Sequence, residues 1–285
     1  MKNLNKIAII AILFIVTVTL AGCDALPGNF SSDGTGELQM LITDAPVDSV
    51  NKVNISVEKV EINSEENGWE DFADYSDDPK EFDLLSLQGI TEVLGEKDLE
   101  TGVYNQIRLY LSDASVVKDG TTYDVFIPSE AQTGLKLVNE FTIEENIVKA
   151  LLLDFDVRKS LTTPGPEDDT DKSYIMRPTI RVIDRIISGD VEGTLVNNNI
   201  EDFSSYIVKA YSGEYDDYSN ITEEEITSTI VNEDGSFKII GLEEGNYTLV
   251  VYETSSDTED PNPIEEEIVT ITAEEITETE INIPN

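Results

Sequence analysis

Apolar residues recur at every second position in short runs, and no segment sustains the 3.6-residue period of an amphipathic helix. That pattern confines the chain to strands with one buried face. Leu38, Met40 and Ile42 alternate in the first run. Val53, Ile55 and Val57 alternate in the second, where the phase then slips to Val60 and Ile62 and predicts a β-bulge at Glu58 and Lys59. Asn67-Gly68 is a two-residue hairpin signal leading into Trp69 and Phe72. Further strands are expected at residues 82–87, 103–111, 123–127, 135–143, 147–157 and 174–183, with turns at Asp119-Gly120 and Glu145-Asn146 and a short helical turn at 90–94. So many strands in so short a stretch point to a sandwich or a barrel. The acidic stretch 164–172 interrupts the pattern as a loop.

After a break at Ser188-Gly189, seven more strands are expected, at 191–196, 206–211, 227–231, 236–240, 247–252, 267–272 and 278–283. That number suits a small Ig-like or prealbumin-like sandwich. The predicted fold class is therefore all-β: two tandem β-sandwich domains over residues 37–185 and 190–285.

The N-terminus has a different character. Lys2 and Lys6 precede an apolar run from Ile7 to Leu20, which ends in Ala21 and Gly22 before Cys23. A membrane-spanning helix needs roughly 20 apolar residues, and this run is shorter and meets small cleavage-type residues. Residues 1–22 read as a signal peptide, outside the fold. Leu20-Ala21-Gly22-Cys23 closely resembles the lipobox of bacterial lipoproteins, which implies a diacylglycerylated Cys23 thiol, cleavage before it and acylation of the new amino group. Cys23 is the only cysteine, so neither a disulfide nor a thiolate metal site has a partner within the chain. Residues 23–36, with Pro27, Gly28, Ser31, Ser32, Gly34 and Gly36, have linker composition and read as a lipidated tether. The expected partner is the lipid bilayer, through two or more acyl chains at the extracytoplasmic face.

Without Lys2 and Lys6, 16 basic residues face 59 acidic ones, a net charge of −43. Nucleic acid is excluded, because binding it requires a basic footprint that releases counterions. From Gly189 onward the imbalance is sharper, with 25 acidic residues against Lys209 and Lys238. Self-repulsion of this size is relieved by salt, where the screening length falls to about 3 Å near 1 M, and a salt-loving host is expected.

Two strings carry resemblances. Asn232-Glu233-Asp234-Gly235-Ser236-Phe237, with Gly241-Leu242-Glu243-Glu244-Gly245-Asn246-Tyr247-Thr248-Leu249, resembles carboxypeptidase regulatory-like domains, which implies a prealbumin-like, non-catalytic sandwich. Residues 37–184 resemble the domain of unknown function 4382 of exported lipoproteins. The carrying strings are Leu41-Ile42-Thr43-Asp44-Ala45-Pro46, Gly102-Val103-Tyr104-Asn105-Gln106-Ile107-Arg108-Leu109, Ile127-Pro128-Ser129 with Thr133-Gly134-Leu135-Lys136-Leu137, Leu153-Asp154-Phe155-Asp156 with Ser160, and Arg177-Pro178. This second resemblance implies place and architecture, and no activity.

The chain has no histidine, which removes histidine-dependent nucleophilic catalysis and histidine metal sites together. A Ser-Lys arrangement is open formally, with Ser129 or Ser160 near Lys136 or Lys159. Carboxylates are the abundant reactive groups. Asp154 and Asp156, two apart in one strand, project from the same face, opposite Leu151, Leu153, Phe155 and Val157. Two anions on one face need a counter-charge, which Arg108, Arg177 or Arg181 could supply as a structural ion network. They could instead join Asp44 around a hard cation, Ca²⁺ before Mg²⁺, or act as the acid and base of a glycoside hydrolase. Asp168, Asp169 and Asp171 lack the spacing of an EF-hand loop. Trp69, with Phe72 and Tyr75, and Tyr211, Tyr215 and Tyr218 are the candidates for a sugar-stacking surface; beside a hairpin, Trp69 could equally cover a sheet edge.

The function expected is that of a membrane-anchored, non-enzymatic binding or adhesion module for a glycan or protein ligand, with no cofactor unless the cation is Ca²⁺. A carboxylate-dependent enzyme on envelope polysaccharide and a structural spacer are the competing readings.

Overall fold

The computed structural model describes residues 34–45, 50–128, 133–162, 174–254 and 263–284. Cys23 and the signal peptide, most of the tether, Ser129 and the loop carrying Asp168, Asp169 and Asp171 lie outside the described residues. Among those described, no helix is long and apolar enough to cross a membrane.

The first part contains β1 (Thr35–Ala45), β2 (Lys52–Ser64), β3 (Gly68–Asp74), β4 (Lys80–Asp83), β5 (Glu92–Glu100), β6 (Gly102–Lys118), β7 (Thr121–Phe126), β8 (Leu135–Ile143), β9 (Val148–Asp156), β10 (Leu161–Thr162), β11 (Tyr174–Met176) and β12 (Ile180–Asp184). They form two sheets and no barrel. A four-stranded sheet runs β12-β9-β1-β5; the larger runs β10-β11-β7-β6-β2-β3, with β4 on β2 and β8 on β6. Leu38, Met40 and Ile42 of β1, Leu151, Leu153 and Phe155 of β9, and Val53, Ile55, Val57, Val60 and Ile62 of β2 meet in one core.

The expected bulge is present. Register slips around Val57 and Lys59 leave Glu58 and Lys59 both half-exposed and bring Val60 back inside. Asp119 and Gly120 both take positive φ, as a tight hairpin requires.

Three expectations are corrected, the first being the strand at 82–87, which ends at Asp83 of β4 and gives way to a 3-10 helix. The segment around 90–94 is not a helical turn: strand β5 begins at Glu92, and the one-turn 3-10 helix is earlier, at Leu84–Leu87. As an edge strand, β5 buries only Leu94 and Leu99 while its charged residues face water, so its alternation is nearly silent. The single strand expected over 174–183 is two strands in different sheets, β11 and β12, divided at Arg177-Pro178. Proline lacks the N–H a ladder needs, and the chain changes sheets there.

The second part contains β13 (Ser188–Val196), β14 (Tyr206–Ser212), β15 (Thr227–Ile230), β16 (Ser236–Glu243), β17 (Gly245–Glu253), β18 (Pro263–Ile271) and β19 (Ile276–Asn282). Its two sheets, β16-β13-β19 and β15-β14-β17-β18, enclose a separate core that includes Phe237, Ile239, Tyr247, Leu249 and Val251. The break expected at Ser188-Gly189 is the opening of β13, joined to β12 by the short turn Arg185–Ile187.

The two sandwiches touch. Leu152 and Ile183 are buried yet belong to neither core. They point from the outer face of β9 and β12 at Gly241 of β16, where a Cβ would lie 2.9 Å from Ile183 Cδ1 and 3.0 Å from Leu152 Cδ2. Gly241 also has φ +73°, so both space and backbone require glycine.

Candidate functional site

Asp154 sits on that covered face. β9 runs parallel to β1 and antiparallel to β12, and the registers place Thr43, Asp154 and Arg181 side by side. Asp154 Oδ2 accepts from Arg181 Nε at 3.0 Å and from a terminal guanidinium nitrogen at 2.6 Å. β15 and β16 close over them. Thr43, Asp44, Gly89, Asp154, Thr227, Ser228, Thr229 and Lys238 are among the residues lining a cavity of about 10 Å³, room for one water at most.

Asp154 is 4% exposed, and burial pushes its carboxyl above the usual carboxylate range, with Arg181 opposing only in part. Asp156 is engaged locally. Its side chain accepts from Lys159 N at 2.9 Å and pairs with Lys159 Nζ at 3.1 Å, capping the one-turn helix Val157–Ser160. Asp44 Oδ1 accepts from Val157 N at 3.2 Å.

This geometry does not assemble the calcium shell expected from Asp44, Asp154 and Asp156. Ca²⁺ takes six to eight oxygens, whereas here Arg181 occupies Asp154, Lys159 occupies Asp156, and the cavity holds one small particle. Among the described residues, no group of three or more potential ligands could hold a metal ion. The structural ion network is what forms, with Arg181 as its cation. Arg108 lies on the other sheet, against Glu61.

The acid–base pair on polysaccharide fails at Asp154 for the same reason, since no sugar ring enters the cavity. Ser160 is buried: its Oγ donates to Asp156 O at 2.5 Å and accepts from Thr179 N at 2.9 Å, which makes it a tie between strands and not a nucleophile.

Around the buried pair, further cations gather. Glu225 meets Arg158, Lys159 at 3.7 Å and Lys209 at 3.1 Å. Arg185 grips Asp190 through two bonds of 2.7 and 3.2 Å, while Asp190 Oδ1 also accepts from Gly241 N at 3.1 Å. Gln88 donates to Ile230 O at 2.6 Å and to Thr229 Oγ1 at 3.2 Å, stitching the first sandwich to the second. Nothing in the local pattern at Gln88 marks it; its role comes from a neighbour about 140 residues away.

The second candidate region is the outer face of the large sheet. Trp69, at the start of β3, is 37% exposed, and the Arg108 guanidinium lies 3.8 Å from its ring centroid. Cross-strand register places Trp69 beside Asn63, and Asp71 and Arg108 on either side of Glu61. Glu61 accepts from Tyr110 Oη at 2.6 Å and from Lys59 at 2.9 Å, and Lys59 also reaches Asp71 at 2.7 Å. Burial pushes Glu61 up, yet the bonds from Tyr110 and Lys59 outweigh it and hold the carboxyl below its ordinary range.

Gly134, at φ +99°, lets the chain press on this cluster, because a Cβ there would come within 2.5 Å of Arg108 Cγ and Cδ. Trp69 is thus exposed and braced, whereas Phe72 is buried in the core. The tyrosine group expected around Tyr211 does not form a surface: Tyr211 is buried, its hydroxyl 3.1 Å from that of Tyr252, and Tyr218 is exposed.

No curated protein matches this sequence. Among solved structures, similarity is found to the Bacillus anthracis TIE protein, at 15% identity and TM-score 0.24, covering 88% of this chain and 34% of that one. The minor pilin of Streptococcus agalactiae matches at 14% identity and TM-score 0.23 over 87% of this chain and 97% of its own. BcpA, the major pilin subunit of Bacillus cereus, matches at 8% identity and TM-score 0.23 over 87% and 70%. This chain spans about a third of the TIE protein's length, and superposition at this level transfers no role. The family described as "Domain of unknown function (DUF4382)" matches residues 35–178, half of the chain and nearly the whole first sandwich. The chain belongs to the DUF4382 family.

Proposed function

We propose that this chain is a lipid-anchored module on the outer side of a bacterial membrane, and that it binds a glycan or protein ligand instead of turning one over. The anchor reading rests on the lone Cys23 after Leu20-Ala21-Gly22. The binding reading is carried by Trp69, the chain's one tryptophan, 37% exposed on a sheet face with the Arg108 guanidinium 3.8 Å from its ring centroid. A braced aromatic offers stacking area at little entropic cost, and a partly exposed ring suits a sugar or a peptide side chain. The burial of Asp154 speaks against the carboxylate-enzyme reading at that pair.

Labelling with a fatty acid in a bacterial host tests the anchor: the label is expected on the wild-type chain and not on Cys23→Ala, and an unlabelled, uncut wild-type precursor would refute it. Glycan-array and envelope-extract binding by the mature chain tests the rest. Trp69→Ala is expected to lower binding at least tenfold with folding intact. A wild-type chain that binds nothing would favour the spacer reading, to which the mutual pairing of Lys59, Glu61, Asp71 and Arg108 lends support.

A further inference from the structure

The cations of this molecule are unevenly placed. Residues 24–188 carry 34 acidic and 14 basic residues, a net of −20, and residues 189–285 carry 25 and two, a net of −23. Two bodies of like charge are therefore held in contact. Their cores do not merge, and apolar contact between them includes Leu152 and Ile183 against Gly241. Six of the 16 basic residues cluster beside that contact. Arg158, Lys159, Arg181 and Arg185 come from the first sandwich, and Lys209 and Lys238 are both of the basic residues that the second possesses.

Lys238 packs its stem against Gly89 across the junction, and its ammonium pairs with Glu192 at 2.7 Å. Glu225 of the second sandwich takes Arg158 and Lys159 of the first, together with its own Lys209. It is the one carboxylate among the described residues seen to draw cations from both bodies.

We propose that the junction is a charge-latched hinge that opens at low ionic strength, before either sandwich unfolds, with Glu225 as the latch. Two ranges of electrostatics compete there. The latch pairs act at contact and are partly buried, so salt weakens them little. The repulsion between the bodies is long-ranged: it is confined to about 8 Å at physiological salt and reaches about 30 Å at 0.01 M. Diluting salt therefore strengthens the opposing force far more than the latch. The covalent link between the bodies is the short turn Arg185–Ile187, and opening there leaves both cores intact. This inference is independent of the ligand reading.

Small-angle scattering of the mature chain, carrying Cys23→Ser to keep it soluble, tests it across NaCl from about 1 M to 0.01 M, with far-ultraviolet dichroism and Trp69 fluorescence read in parallel. The expected result is a larger maximum dimension at low salt, unchanged dichroism and fluorescence, and full reversal on adding salt. Glu225→Gln is expected to raise the opening midpoint about twofold in salt, because it loses the latch. Glu280→Gln, which removes an equal charge from an exposed position on β19, is expected to leave the midpoint unchanged or lower it. Dimensions constant down to the lowest salt, expansion only together with loss of dichroism, or the two variants shifting alike would each overturn the proposal. Should Glu225→Gln fail to fold, the wild-type titration still decides it.

Discussion

The outer face around Trp69 and the face around Asp154 are built alike, from carboxylates and cations on the solvent-directed side of a sheet, yet they differ in what lies above them. Water covers the first and a second sandwich covers the second. Glu61 is consequently held below the ordinary carboxylate range by Tyr110 and Lys59, and Asp154 is pushed above it by burial. Two carboxylates on sheet strands are thus tuned in opposite directions: at Glu61 the bonds from Tyr110 and Lys59 outweigh burial, and at Asp154 burial outweighs Arg181.

The sharpest way to break this comparison is to remove one cation from each region. Arg181→Ala leaves the Asp154 carboxylate buried without its bidentate partner and is expected to cost about 3–5 kcal/mol in urea unfolding of the mature chain. The equivalent change at the other face, Arg108→Ala, is expected to cost under about 1 kcal/mol, because Glu61 keeps Tyr110 and Lys59 and stays near water. Equal losses would mean that the second sandwich does not cover Asp154.

Gly241→Ala comes next in size. A methyl group at φ +73°, under 3 Å from Ile183 and 3.0 Å from Leu152, is expected to cost about 1–3 kcal/mol and to loosen the junction while both cores persist. Calorimetry checks this as a broadened or split transition.

The smallest effect is on pH dependence, and its sign differs between the regions. The folded-state pKa of Glu61 lies below its unfolded value, so its contribution is complete above about pH 4.3 and is lost as pH falls through the folded value. Asp154 is the reverse. Its folded-state pKa is raised, so ionisation disfavours the fold, and stability falls as pH rises from the unfolded value of about 3.9 through the folded one. Asp154→Asn should therefore flatten the decline on the neutral side, and Glu61→Gln the decline on the acid side, in stability measured from pH 3 to 7.

Most strands were legible because a half-buried sheet writes its period directly into the residues, as β2 does even through its bulge. The junction was written more faintly. In Leu151-Leu152-Leu153-Asp154-Phe155-Asp156, the odd positions face the core; Leu152, an apolar residue on the acidic side, was the one signal that this side is also covered. A parallel strand buried on both faces reads as a continuous apolar run, and the two aspartates obscured that. Gln88 and Glu225 carried no signal, because their meaning depends on partners far along the chain. The strand β5 was hidden by its charged edge, and the division of β11 from β12 was signalled only by Pro178.

Hydrogen exchange at the Gly241 amide, which donates to Asp190 beside the apolar contact, tests most directly whether the second sandwich is seated on the first. In about 1 M NaCl, where repulsion is screened, the account predicts that this amide exchanges only through global unfolding, together with the core strands. Fast exchange at Gly241 while β9 and β17 stay protected would mean that the face carrying Asp154 is open to water, and would contradict it.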